Sequence, residues 1–329
     1  MSPSTFFRLF THLQMMPILE SGEETLVGGQ AVMEGVMMRA PHSYCVSVRK
    51  ASGEIVQEEM PLARMSEQYK IFRYPVFRGV GTLYQALKLG GRALRFSANA
   101  VLDSPEFQKP GAAAPKEMPG WAMAGPVVFS LLFFIFMYKF VPLLVVTKLA
   151  AVYPVLKGSV LFNLADGGVR FAILLGLLFT LSRTRDIRRV FQYHGAEHKV
   201  VFNFESGRPV TVENAQQFST YHPRCGTSFL FVVFLLSIPA YALIPWQGFV
   251  AKLVARILLI LPLAGVSYEL IRFAAKRPGS FFSILTAPGL WTQRITTKPP
   301  SDDMAEVAIH ALNGAMALEK SQGGELVIA

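Results

Sequence analysis

The sequence predicts a mainly α-helical integral membrane protein with about four transmembrane helices and a small N-terminal cytoplasmic region that contains a β-hairpin. Three observations predict it. Hydrophobic residues make up 52% of the 329-residue chain and charged residues only 16%, below the ~25% charged of an average soluble domain. Four apolar stretches follow residue 120. Many of the basic residues gather beside those stretches. This placement assigns much of the +10 net charge to topology and anionic lipid rather than to nucleic acid. The lipid bilayer is therefore the expected partner, and no nucleic-acid partner is expected. The composition excludes disorder for most of the chain and an ordinary soluble enzyme surface. Two cysteines, Cys45 and Cys225, do not make a disulfide framework.

Residues 1–27 read as a flexible N-terminus. The first 20 residues hold only short apolar pieces, so no signal peptide is expected there. Residues 28–102 read as a cytoplasmic N-terminal region. Tyr44 to Lys50 alternates, Ala51-Ser52-Gly53 is a turn signal, and Glu54 to Glu59 returns as a second strand. Arg78 to Leu102 reads as an amphipathic helix along the membrane surface, with Leu83, Leu87, Leu94 and Val101 among its apolar positions. Gly90-Gly91 is its weak point. Residues 103–120 carry Pro105, Pro110, Pro115 and Pro119 and read as a linker.

A spanning helix needs about 20 mostly apolar residues. Ala122 to Val146 meets this with Lys139 as its one charge, and Gly226 to Ile244 is uncharged over 19 residues. Phe249 to Tyr268 meets it if Lys252 and Arg256 snorkel to an interface. Phe171 to Ser182 is only 12 residues long. It spans if the helix starts near Phe162 and tolerates Asp166 and Arg170; otherwise it is a half-span. Arg183, Arg185, Arg188 and Arg189 follow the second stretch, and Arg272, Lys276 and Arg277 follow the fourth. The Trp246-Gln247-Gly248 turn carries no charge. Positive residues stay inside, so both termini and the 183–226 loop are expected in the cytoplasm. The order is then a first transmembrane pair (121–182), a cytoplasmic loop (183–226), a second pair (227–272), a cytoplasmic helical region (273–320) and a tail (321–329). In the helical region, Pro299-Pro300-Ser301-Asp302-Asp303 opens a helix to about Lys320. Ser301 is its expected cap, and the aspartates suit its positive end.

The 183–226 loop holds the residues that carry chemistry. Arg185 to Glu205 fits an amphipathic helix with Ile187, Phe191, His194, His198 and Val201 on one face. His194 and His198 are four apart, so their rings meet on that face. Gly195 leaves room for a close approach. His194-Gly195-Ala196-Glu197-His198 is the H-x-x-E-H pattern of inverted zinc peptidases, in which two histidines hold zinc and the glutamate activates water. His222-Pro223-Arg224-Cys225 adds an imidazole and a thiol three residues apart, both natural zinc ligands. His194, His198, His222 and Cys225 are the candidate ligands of a divalent ion, with Zn2+ the best fit, and Glu197 is the candidate general base. Three protein ligands would leave an open, catalytic position; four would close a structural site. The competing readings are interfacial histidines, a small buried Cys225, and a Glu197 paired with an arginine.

Two further acids need partners. Glu34 sits in the Gly28–Arg39 run among glycines and methionines and is costly to bury alone. Arg39 is one candidate partner. In the functional reading Glu34 is a second catalytic residue facing the metal or substrate. Glu269 precedes Arg272 by three residues and reads as half of an ion pair.

These motifs together resemble the YqhQ-like bacterial membrane proteins, domain of unknown function 1385. The resemblance runs through GGQAVMEGVMMR (28–39), RYPVFRG (73–79), RVFQYHGAEHKVV (189–201), HPRCGTSF (222–229) and APGLWTQRITTKPPSDDM (287–304). It implies a multi-pass protein of the bacterial inner membrane, in a family described as predicted metal-dependent enzymes. Two readings of function stand. One is a membrane metal-dependent hydrolase acting on a protein, peptide or lipid-linked substrate at the cytoplasmic surface. The other is a non-enzymatic membrane factor whose structural metal staples the loop, with a protein partner.

Overall fold

The computed structural model describes residues 27–102, 120–222, 225–244, 248–275 and 287–322. The expected flexible N-terminus, the linker at 103–119, Trp246, Lys276, Arg277 and most of the tail lie outside them. The strands are β1 (Gly28–Val32), β2 (Gly35–Arg39), β3 (Ser43–Arg49) and β4 (Ile55–Pro61). The main helices are α1 (Phe77–Leu102), α2 (Gly120–Ile135), α3 (Val141–Val152), α4 (Ser159–Leu181), α5 (Arg185–Glu205), α6 (Val212–Gln216), α7 (Gly226–Ala242), α8 (Phe249–Leu258), α9 (Ile260–Ala275), α10 (Ala287–Thr296) and α11 (Asp302–Ser321).

The strands form one antiparallel sheet in the order β1-β2-β3-β4. The hairpin expected at 44–59 is β3–β4, closed where Lys50 N–H donates to the Glu54 carbonyl at 2.9 Å. The β1–β2 hairpin is not evident in the sequence. Its turn is Met33-Glu34, with no Asn-Gly or Asp-Gly signal, and Glu34 takes a left-handed φ of 52° that an L residue rarely adopts. Alternation then splits the sheet into two faces. Met37, Tyr44, Val46 and Val48 pack with Leu89 and Ala93 of α1. Val36, Met38 and Cys45 pack on the other side with Tyr193, Ala196 and Val200 of α5 and with the apolar side of α11. Gly35 faces Val48, and a Cβ there would stand 2.2 Å from the Ser47 carbonyl, so the strands close only over glycine.

The helix expected over 78–102 is α1, but it is more than a surface helix. It covers the sheet and also packs on α9, where Gly79 meets the Gly265 backbone and Tyr268. The expected C-terminal helix is α11. Ser301 holds its N-cap position without the expected side-chain bond, and Asp302 and Asp303 fill the first turn.

The apolar helices correct the four-span expectation. Val128–Val152 runs 25 residues through a π-helical turn at Phe136–Phe140, and α4 runs 23. Among the described residues these two are long and apolar enough to cross a membrane, or three if α8 and α9, bent by 45°, count as one. The bend has a cause: Pro262 cannot donate to the Leu258 carbonyl. α7 has 17 residues and Pro239 inside it. At 1.5 Å per residue it is about 26 Å long, short of a ~30 Å hydrocarbon core. The doubtful second stretch is a full helix whose Asp166 is met by the Arg256 guanidinium. Arg256 does not snorkel: it is buried, with its Nη1 2.6 Å from Asp166 Oδ1 and its Nη2 3.0 Å from Asn163 Oδ1.

Candidate metal centre

α5 has the expected bounds, Arg185–Glu205. Tyr193, Ala196 and Val200 sink into the core under the sheet. That anchoring turns His194, Glu197, His198 and Val201 toward a pocket whose other walls are Val27, Gly28, Gly29, His222, Cys225 and Gly226. The pocket measures about 120 Å³, room for an ion and several waters.

The two histidine rings lie 4.4 Å apart. His194 Nδ1 donates to the Thr296 carbonyl at 2.9 Å, and His198 Nδ1 donates to the Thr220 carbonyl at 2.5 Å. A proton held on Nδ1 leaves Nε2 with its lone pair, the form in which histidine binds a metal. Gly195 makes the first of these contacts possible. A Cβ there would stand 2.1 Å from the Lys298 carbonyl. The close approach suggested by this glycine is thus the chain leaving α10, which also donates from Lys298 N–H to the Phe191 carbonyl at 2.9 Å.

Cys225 precedes α7, with its Sγ 3.2 Å from His194 Nε2 and accepting from Thr227 Oγ1 at 3.4 Å. His194, His198 and Cys225 each offer a ligand atom, all within 4.8 Å of one another. Metal bonds of 2.0–2.3 Å put tetrahedral ligands about 3.5 Å apart, so closure on an ion needs shifts of about an ångström. The donor set, two imidazoles and a thiol, fits Zn2+. Glu197 Oε2 stands 3.6 Å from His198 Nε2 and 4.0 Å from His194 Nε2. Gly29 of β1 makes space for it, since a Cβ there would press on Glu197 Cγ at 2.6 Å.

His222 lies close by but outside the convergent trio. Its ring centroid is 5.6 Å from that of His198 and 4.4 Å from that of Phe202. Its Nε2 is 3.4 Å from Glu205 Oε2. Its backbone is locked by Gln293, which accepts from His222 N–H at 2.8 Å and donates to its carbonyl at 2.8 Å. Burial lowers its pKa to about 4, so the ring is neutral at pH 7. Pro223 and Arg224 lie outside the described residues.

The two other acids have different partners from those suggested by sequence. Glu34 does not line the pocket. Arg189 grips it at 2.5 Å from both Nε and Nη2, and Tyr193 donates to it at 3.3 Å. Arg39 is not that partner. Glu269 is paired as expected, but with the Arg78 guanidinium and Val76 N–H rather than with Arg272. Sequence reasoning missed the carbonyls of Thr220 and Thr296, the Gln293 lock and the Gly28-Gly29 wall. Backbone carbonyls carry no residue signature; Gln293, buried in a string rich in threonines, could have been noticed.

The family described as "Protein of unknown function (DUF1385)" matches residues 74–318. The chain belongs to this family. The DUF1385 stretch contains every ligand candidate and Gln293, and begins after the sheet. The chain is similar to the "Uncharacterized protein YqhQ" of Bacillus subtilis (strain 168), 33% identical over 297 residues, 89% of this chain and 92% of the relative. No solved structure matches the chain.

Proposed function

We propose that this DUF1385 protein is a metal-dependent hydrolase of the bacterial inner membrane, with both termini and the His/Cys pocket on the cytoplasmic side. The observation that carries the reading is the convergence of His194, His198 and Cys225 within 4.8 Å beside Glu197. His194, His198 and Cys225 hold the ion, with Zn2+ the best fit. His222 packs beside them, and in this reading it supports the site unless it turns inward to close it. A trio leaves the fourth position open, which distinguishes a catalytic site from a structural one. A bound divalent ion supplies Lewis acidity and an activated water at neutral pH. Glu197, buried with Oε2 3.6 Å from His198 Nε2, would accept the proton of the attacking water and return it to the leaving group. The Thr220 and Thr296 carbonyls hold both rings in the ligating tautomer. The positive-inside rule supports the orientation. The substrate class that suits the location is a protein or peptide segment at the membrane surface.

The test uses the full chain in lipid nanodiscs, loaded with Zn2+ and offered a mixture of fluorogenic peptides. Cleavage is expected, and Glu197→Gln should keep the ion while lowering kcat at least 100-fold. Undiminished cleavage by Glu197→Gln would refute the assigned base. An ion held by four protein ligands with no exchangeable water in a cobalt-substituted sample would favour a structural staple.

A further inference from the structure

A second polar cluster lies among the apolar helices, and none of its residues lines the pocket. It takes Lys139 from the π-helical turn, Asp166 and Arg170 from α4, Ser237 and Tyr241 from α7, and Arg256 from α8; each is at most 9% exposed. Ser237 is twelve residues beyond Cys225 along the chain, roughly 18 Å of helix. Lys139 falls near the middle of Val128–Val152, and Arg170 near the middle of α4.

Its charges do not balance. Among the described residues, two guanidiniums and the Lys139 amine face one carboxylate. Arg256 uses Asp166 Oδ1 and Asn163, while Arg170 Nε lies 2.9 Å from Asp166 Oδ2 without hydrogen-bond geometry. Arg170 Nη1 donates to Ser237 Oγ at 2.6 Å, and Lys139 Nζ donates to Tyr241 OH at 2.6 Å. The Tyr241 ring lies 5.3 Å from Lys139 Nζ, 5.1 Å from Arg170 Cζ and 4.9 Å from Arg256 Cζ, and the Phe234 ring lies 5.4 Å from Arg170 Cζ. A ring face contributes about 1–2 kcal/mol per cation, whereas an uncompensated buried charge costs several. Arg170 Nη2, on a side chain only 4% exposed, has no hydrogen-bond partner among the described residues. Lys139 is presented by a π-helical turn, a local distortion frequent at functional sites. Ionisable groups at membrane depth mark ligand or ion sites more often than architecture.

We propose that this cluster binds a phosphate-class oxyanion, held by Arg170 Nη2 and Lys139 Nζ. The two guanidiniums outweigh the one carboxylate, and Lys139 adds its charge when protonated, so the cluster carries an excess of positive charge that a phosphate oxyanion answers. The guanidinium supplies directional donors and the ammonium a point charge. Phosphate oxygens are offered by free inorganic phosphate and, with a single negative charge, by the phosphodiester headgroup of an anionic phospholipid. The site is independent of the metal reading and stands or falls separately.

The test is equilibrium binding of radiolabelled inorganic phosphate to the detergent-purified full chain, at constant ionic strength in chloride. A second arm follows phosphatidylglycerol against phosphatidylcholine by native mass spectrometry. Saturable phosphate binding supports the free-anion form, and selective retention of phosphatidylglycerol supports the lipid form. Lys139→Gln and Arg170→Gln should each weaken the supported ligand at least 10-fold. Tyr241→Phe removes the hydroxyl that engages Lys139 and should tighten binding severalfold, a gain that misfolding does not produce. Absence of saturable or selective binding in both arms overturns the proposal, and so does binding unchanged in all three variants.

Discussion

The pocket at α5 and the cluster at α4 both gather polar side chains, but they hold them in opposite ways. In the pocket His194 and His198 are each anchored through Nδ1 by a backbone carbonyl and keep Nε2 for another partner. Among the apolar helices the groups are charged and serve mainly one another, with Asp166 meeting two guanidiniums. Neutral rings on carbonyl anchors make a site that can wait for a ligand at little cost. Buried guanidiniums have no such neutral resting state, and Asp166 between two of them offsets part of the cost of their burial.

The comparison breaks most sharply at Asp166. Asp166→Asn leaves Arg256 and Arg170 without their carboxylate and should cost about 3–5 kcal/mol, read as lost folded yield or a lower unfolding midpoint in detergent. The protein that does fold should bind metal as before; unchanged stability would remove Asp166 from its central place. Gly195→Ala tests the carbonyl anchors. Its Cβ would stand 2.1 Å from the Lys298 carbonyl, so displacement of the chain beyond α10 should cost about 1–3 kcal/mol and weaken metal binding with it. Equal metal affinity in this variant would make the Thr296 anchor dispensable.

Glu319 on α11 is a reference point outside both clusters. Burial pushes its pKa up, but His42 N–H, the Ser43 hydroxyl and the His42 ring outweigh this and hold it below the ordinary carboxylate value. Its folded pKa is depressed, so its stabilisation is present above the unfolded value and is lost as pH falls through the folded one. Glu319→Gln should therefore cost about 1.5 kcal/mol at pH 7, and in acid unfolding curves the difference from wild type should shrink below the ordinary glutamate value of ~4.3 and vanish once the pH is below the folded one. A difference that persists there would assign the effect to packing. Arg189→Ala is the smallest change. Its pair with Glu34 is half exposed, so the loss should stay below about 1 kcal/mol with metal affinity unaltered. A tenfold weaker metal would return Glu34 to the site.

Much of this was legible in the sequence where the signal is periodic. Helical spacing gave α5 its bounds and placed His194 and His198 on one face, and alternation gave β3–β4. The first hairpin escaped because its turn uses Glu34 in a left-handed conformation instead of a glycine or asparagine. The membrane layer escaped in part because hydropathy measures apolar length and is blind to helix ends. It therefore gave α7 the same weight as longer segments and left Arg256 to snorkel, although Asp166 lies ready for it. Within the site the residue types were readable, but their ranking was not. Whether His222 or Cys225 joins the pair depends on Glu205 at the end of α5 and on Gln293, which lies 71 residues along the chain from His222.

The central claim is that His194, His198 and Cys225 hold a divalent ion, and metal analysis of the purified full chain tests it most directly. Protein supplied with Zn2+ should retain a single equivalent through dialysis, and its Co2+ form should show a thiolate-to-cobalt absorption band that Cys225→Ser abolishes. His198→Ala should retain none. A folded wild-type protein that retains no ion, or an ion undiminished by His198→Ala, would contradict the account.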